Sequence, residues 1–113
     1  MVWVPVLRGR PVETAAQTEA DTVPDSRAAQ FVDVEGALSK AYASVIDLPP
    51  SLPAWDVYFV FGPEARWPEG QGSKPPAPDY WMHQLGRAAP PELLLNPEQL
   101  NSYVGGMLLK MGQ

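Results

Sequence analysis

The chain has 113 residues, of which 45% are hydrophobic and 19% charged, with a formal net charge of -5 and no cysteine. This composition argues against wholesale disorder, and the length fits one soluble domain, residues 1–113, with a single modest core. The lack of cysteine excludes disulfides, thiolate nucleophiles, zinc–thiolate sites and iron–sulfur ligation by the protein's own side chains.

Charge and hydropathy also limit the partners that we expect. The chain is acidic and has no basic run that could neutralise a phosphate backbone, which argues against nucleic acid. Its apolar runs are shorter than a membrane span, and its first residues lack the features of a signal peptide. We therefore expect a cytoplasmic protein that binds neither nucleic acid nor membrane, and nothing in the sequence calls for a cofactor.

The N-terminal third predicts two short strands and a helix. Residues 2–7 are apolar on both faces, as in a strand buried on both sides of a sheet, although Pro5 favours an edge position because it cannot donate to a ladder. A first-turn proline precedes a predicted helix over 11–20. A second short strand is predicted over 28–32, and it ends at Asp33, which is placed to cap the next helix.

The middle of the chain predicts a helix and a hairpin. Apolar residues recur over 34–46 at the spacing of three and four that places one stripe of a helix against a core. A proline-rich stretch ends this helix. Residues 55–61 are aromatic and β-branched on both faces and predict a central strand, and 65–67 can return as its short antiparallel partner.

The C-terminal third predicts a loop, a helical turn and a long helix. Residues 68–78 are rich in proline and glycine and predict a surface loop. Asp79 can cap a helical turn over 80–85. Asn96, followed by a proline and then by a glutamine at the capping-box position, starts a helix over 97–111.

Titratable residues suggest one candidate catalytic arrangement. His83 is the only histidine, and on a helix it would share a face with Asp79, four residues earlier. A small enzyme could use His83 with Asp79 or Asp56 as its acid and base. Two ligands do not make a metal site, so we predict none. The serines lack the glycines of a nucleophile elbow, which argues against a Ser-His-Asp enzyme.

Aromatic residues suggest a candidate ligand pocket. The aromatic residues of a small protein usually form its core, but they can also line a binding site. The candidates for such a pocket are Trp55, Tyr58, Trp67, Tyr80 and Trp81.

Three segments carry a family resemblance. The segment VWVPVL, followed by a predicted helix, then QFVDVEGALSKAY, and finally VYFVFGPEARW resemble, in this order, the second part of a thioredoxin-like protein of the redoxin type. The resemblance covers about residues 2–67. It implies an α/β fold with a small mixed sheet and flanking helices, that is, a truncated thioredoxin-like domain.

The resemblance does not extend to the chemistry of that family. Its redox dicysteine lies on a strand–helix unit that this sequence does not contain, so thioredoxin activity is not carried over. We expect either a shortened reading frame or a degenerate relative that kept the scaffold. The resulting functional hypothesis is a non-catalytic interaction or small-ligand-binding module, and the alternative is the enzyme based on His83.

The missing strand also predicts a homodimer. In the thioredoxin order it would lie between the strands at 2–7 and 55–61, and a bare strand edge invites pairing with another chain. We expect the last helix to contribute to the contact, because Gly105 and Gly106 would permit close approach. The predicted interface residues are Leu100, Val104, Met107, Leu108 and Met111.

Overall fold

The computed structural model describes residues 2–5, 13–14, 25–69 and 74–112. Within these ranges the protein is of the α/β class. The strands are β1 (Val2–Pro5), β2 (Gln30–Asp33), β3 (Val57–Val60) and β4 (Tyr80–His83), and the helices of more than one turn are α1 (Ala37–Val45) and α2 (Pro97–Met111). Neither of these two helices is long and apolar enough to cross a membrane.

Most predicted elements are found, with small shifts at their ends. The strands β1, β2 and β3 overlap the predictions at 2–7, 28–32 and 55–61, and α1 lies within the predicted 34–46. The bounds of α2 coincide with the predicted 97–111. Of the predicted helix over 11–20, the described residues 13–14 are helical and the rest lies outside the described residues, as do residues 6 and 7 of the first strand.

The strands form two pairs rather than the single mixed sheet that we predicted. β1 runs parallel to β2, with Trp3 opposite Phe31, and β3 runs antiparallel to β4, with Phe59 opposite Trp81. No backbone ladder joins the two pairs among the described residues. Side chains connect them instead, since the rings of Trp3 and Phe59 lie 5.8 Å apart.

The predicted hairpin partner at 65–67 and the helical turn at 80–85 are both wrong, because β4 is the partner of β3. The guanidinium of Arg66 donates to the carbonyls of Pro63 and Ala65, each at 2.8 Å, so this stretch closes on itself as a turn. The sequence of β4, YWMH, begins with two aromatic residues of high strand propensity. Pairing with β3 decides its conformation.

Asp33 supports the start of α1, as its position predicts, but from one turn upstream. The residue at the cap position is Gly36, whose φ of 69° lies in the left-handed region that favours glycine. The carboxylate of Asp33 accepts hydrogen bonds from the backbone amides of Leu38 (3.2 Å) and Ser39 (3.0 Å). These are two of the amides that a helix leaves without an internal partner.

The end of α1 reverses the chain. The amide of Asp47 donates to the carbonyl of Ser44 (3.3 Å), and the amide of Leu48 donates to the carbonyl of Ala43 (2.9 Å). Asp47 itself has a φ of 57°. This is the Schellman arrangement with aspartate where glycine is usual. The following loop, residues 48–53, therefore runs back beside α1.

α2 contacts the hairpin through its first turns. The side chain of Asn96 caps it by accepting from the amide of Gln99 at 3.1 Å. The Gln99 side chain donates to the hydroxyl of Tyr80 (2.7 Å) instead of closing a capping box. The ring of Tyr103 stacks on that of Tyr80 at 4.3 Å. No residue of α2 is fully buried.

The core is centred on Tyr42 of α1, which is fully buried. Four aromatic rings surround it, with centroids 5.7 Å (Trp3), 4.6 Å (Phe59), 6.3 Å (Phe61) and 6.0 Å (Trp67) from its own. They come from β1, from β3 and from the segment after β3. α1 therefore packs against both strand pairs at once.

Candidate functional site

A cavity of about 660 Å³ lies between α1 and the chain that follows it. Its floor is one side of α1, its wall is loop 48–53, and Trp55 lies at its end; we call it the α1 groove. Its size falls within the range of about 300 to 1,000 Å³ that is usual for small-molecule sites.

The floor of the α1 groove follows from helical spacing. Residues three and four apart lie on the same side of a helix, so the floor follows the stripe Gly36, Lys40, Ala43 and Asp47. Ser39, three residues before Tyr42, lies where this stripe meets the core. Most side chains of the floor are small or polar. The floor residues are Gly36, Ser39, Lys40, Ala43, Ser44 and Asp47.

The wall of the α1 groove is held by local hydrogen bonds and prolines. The amide of Leu52 donates to the carbonyl of Pro49 (2.9 Å), which closes a turn within loop 48–53. The amide of Ala54 donates to the carbonyl of Ser39 (3.0 Å) and fixes the end of the loop to α1. Three of the six loop residues are prolines, whose φ is restricted. The wall is therefore largely preformed.

Ser39 joins the floor of the groove to its wall. The sequence did not predict a role for this residue. Ser39 is 1% exposed, and its hydroxyl donates to the carboxylate of Asp33 at 2.8 Å. The same oxygen accepts the indole N–H groups of Trp3 (3.2 Å) and Trp55 (3.1 Å). Ser39 thus positions Trp55 at the groove. Its place in the first turn of α1, beside the apolar stripe, is the only signal in the sequence.

Four ionisable side chains line the α1 groove. They are the carboxylates of Asp33, Glu35 and Asp47 and the ammonium of Lys40. Three negative charges and one positive charge give this lining a formal sum of -2. The groove is therefore an acidic site with partly apolar walls.

His83 is a fully buried residue whose two ring nitrogens are both engaged by the backbone. The amide of Leu85 donates to Nδ1 at 3.0 Å, so Nε2 carries the proton and donates to the carbonyl of Pro90 at 2.7 Å. This is a neutral imidazole that ties the end of β4 to the following turns. Neither nitrogen is turned towards the α1 groove.

Neither of the two aspartates considered with His83 is hydrogen-bonded to its ring, since both ring nitrogens bond backbone groups. On a strand the four-residue step from Asp79 to His83 spans roughly 13 Å, not one helical turn. The carboxylate of Asp79 accepts the amide of Gly62, and Asp56 offers its backbone carbonyl to the amide of Gln84 (2.9 Å). Within the described ranges, no three histidine or acidic side chains are grouped so that they could hold a metal ion.

The five aromatic residues predicted to line a pocket are distributed over several surroundings. Trp55 lines the α1 groove. Trp67 packs edge-on against Tyr42, and Trp81 lies 5.8 Å from His83, ring to ring. The remaining two, on β3 and β4, interact at the surface of the hairpin with Gln84 and with α2.

The residues predicted as an interface divide into two groups on α2. Leu100, Val104 and Met107 are partly buried, whereas Leu108 and Met111 are exposed. Leu109, which was not predicted, is 74% exposed. We call the exposed apolar end of this helix, Leu108, Leu109 and Met111, the C-terminal patch.

No protein-family model matches the sequence, and comparisons with curated proteins and with solved structures find no similar protein. Function therefore has to be argued from the chemistry of the described residues. The α1 groove combines a preformed wall, an aromatic end and an acidic lining.

Proposed function

We propose that this protein is a non-catalytic binding module and that its ligand site is the α1 groove. The observation that supports this is the groove itself, a cavity of about 660 Å³ whose lining combines apolar and polar side chains. Ligand sites commonly combine these properties. A preformed site also loses less conformational entropy when a ligand binds.

The alternative, a small enzyme using His83 with Asp79 or Asp56, is not favoured by the described contacts. A general base needs a ring nitrogen within hydrogen-bond reach of the substrate proton. Both nitrogens of His83 are bonded to backbone groups, and the residue is 0% exposed. An enzyme of this kind would first have to break these bonds.

The test is a screen of small-molecule fragments read out by nuclear magnetic resonance of the backbone amides. We expect fragments that bind to shift the amides of residues 36–47 and 48–55. Ser44 and Ser102 are both exposed serines on helices, and of the two only Ser44 lines the groove. Ser44→Leu should therefore reduce the shifts, and the matched control Ser102→Leu should leave them unchanged.

Two results would contradict the proposal. One is a library whose hits all shift residues outside the α1 groove. The other is equal binding by both leucine variants, since a larger side chain at position 44 narrows the groove and should weaken binding there.

We further propose that the scaffold is a degenerate thioredoxin-like one and that the module acts in the cytoplasm as a homodimer. The order of β1, β2, α1 and the β3–β4 hairpin supports the first part, and the two unjoined strand pairs and the C-terminal patch support the second. Exposed apolar surface of this kind is a common feature of interfaces. Sedimentation at micromolar concentration should give about twice the chain mass, and a monomer of 12.3 kDa would contradict the dimer.

A further inference from the structure

We infer that the ligand of the α1 groove is a small organic cation that carries apolar groups, such as an alkylated ammonium. This inference rests on the proposed function and adds the chemical class of the ligand. It follows from the charges, the apolar surface and the occupied amides of the groove.

The charges of the lining favour a cation. Glu35 and Asp47 lie at opposite ends of α1, and the positive charge of Lys40 lies between them on the floor. The carboxylate of Asp33 is the third acidic group. An anionic ligand would meet three like charges and one opposite charge, and a cation would meet the reverse.

Two of the amides that could have bound an anion are already occupied. Helix N-termini attract phosphate and carboxylate groups through their free backbone amides. In α1 the carboxylate of Asp33 accepts two of these amides, those of Leu38 and Ser39. The protein thus supplies its own anion at this end of the groove, which removes the usual reason for binding a phosphate there.

The apolar surface favours an alkylated cation over a bare metal ion. The indole N–H of Trp55 is bonded to Ser39, so what Trp55 contributes to the groove lining is its aromatic ring and not a free donor. Aromatic faces attract organic cations, most strongly those of tryptophan. Leu48, Leu52 and the loop prolines add aliphatic contacts. In addition, no metal-binding group of three or more histidine or acidic residues occurs in the described part of the chain.

The experiment compares choline with its neutral isostere, in which a carbon atom replaces the ammonium nitrogen. Both are titrated into the intact chain at low salt, and the amide shifts of residues 36–55 are followed. We expect choline to bind about tenfold more tightly, because its charge interacts with at least one nearby carboxylate. Raising the salt concentration should reduce this preference.

Charge variants test which residues cause the preference for choline. Glu35→Gln combined with Asp47→Asn should remove most of the preference for choline, and Lys40→Gln should strengthen it. The control is Glu64→Gln combined with Glu98→Gln, which changes the net charge by the same two units as the acidic double variant but lies in the turn after β3 and in α2, outside the groove.

The outcomes separate this inference from the proposed function. If the neutral isostere binds in the groove as tightly as choline, the cation inference is wrong and the binding module stands. If Glu64→Gln combined with Glu98→Gln acts as strongly as the acidic groove variant, the preference reflects only net charge, which also overturns the inference. If neither probe nor any fragment shifts the groove amides, both the inference and the proposed function fail.

Discussion

The shorter of the two helices, α1, is more deeply buried than the longer one, α2. α1 has nine residues, yet it carries the fully buried Tyr42 and Ser39. α2 has fifteen residues and buries none completely. Helix stability in proteins comes mainly from tertiary contacts of one face, not from length. α1 is therefore the structural centre of the described fold, and α2 is a peripheral element.

The difference arises from what each helix has around it. α1 has strand pairs on one side and loop 48–53 on the other, so both of its sides are used. α2 contacts the hairpin through its first turns, by Gln99 and Tyr103, and its last turn ends in the C-terminal patch. We expect substitutions in α1 to destabilise the fold and those in the patch to affect association.

The largest expected effect is the loss of the Tyr42 ring. Tyr42→Ala should reduce the free energy of unfolding by roughly 2 to 4 kcal/mol, because a buried side chain surrounded by four rings leaves a cavity. Leu38→Ala, at a partly buried position packed against the same core, should act in the same direction. Leu109→Ala in the C-terminal patch should change stability by less than about 0.5 kcal/mol. Urea denaturation measures all three.

Equal effects of Tyr42→Ala and Leu109→Ala would remove the contrast between the helices. A loss below about 0.5 kcal/mol at both Tyr42 and Leu38 would mean that α1 does not face the core.

The second effect concerns the polar centre of the core. Ser39→Ala leaves the indole N–H groups of Trp3 and Trp55 without their acceptor. Each unsatisfied buried donor costs about 1 to 3 kcal/mol, and because these two rings are only partly buried we expect a total loss of about 2 kcal/mol. Ser102→Ala, at an exposed position of α2, is the control and should be nearly neutral. A neutral Ser39→Ala would show that water replaces the hydroxyl.

The third effect depends on pH. Burial raises the pKa of Tyr42 to about 12, and its hydroxyl has no hydrogen-bond partner. In the unfolded chain this tyrosine ionises near pH 10, so at higher pH the unfolded state binds fewer protons and stability falls. At pH 11 the loss from this residue should be about 1 kcal/mol relative to pH 8.

The control for this pH effect is Tyr42→Phe, which removes the ionisable group and should be neutral or slightly stabilising at pH 8. Denaturation of both proteins at pH 8 and pH 11 tests the expectation. If the two proteins lose stability equally between these values, Tyr42 is not the cause.

Elements that depend on local sequence signals were predicted well. Segments whose conformation depends on contacts with distant residues were not. The bounds of α2 followed from Asn96 and the residues after it. Asp33 bonds amides of the first turn of α1, but the helix begins four residues after it and not directly, as predicted. Four residues such as β4 can form a helical turn or a strand, and only the presence of β3 selects the strand. The α1 groove depends on the chain reversal at Asp47, which lacks the glycine that usually announces it.

The smallest expected effect concerns two glycines in the peripheral helix, α2. Gly105 and Gly106 lie inside α2, and a Cβ atom built at either position would meet nothing within 4 Å. Alanine in a helix interior is favoured over glycine by about 0.5 to 1 kcal/mol. In the isolated chain, Gly105→Ala and Gly106→Ala should therefore each stabilise the fold by about this amount in thermal or urea denaturation.

If a homodimer packs closely through these glycines, the same alanine substitutions should have the opposite effect on association. The added methyl groups would then separate the two helices and weaken the dimer, although each folded chain gains stability. Denaturation at low protein concentration reports the first effect, and sedimentation of the same variants reports the second. If both variants associate as well as the original chain, the two glycines do not lie in the dimer contact, and any contact through α2 has to use the C-terminal patch instead.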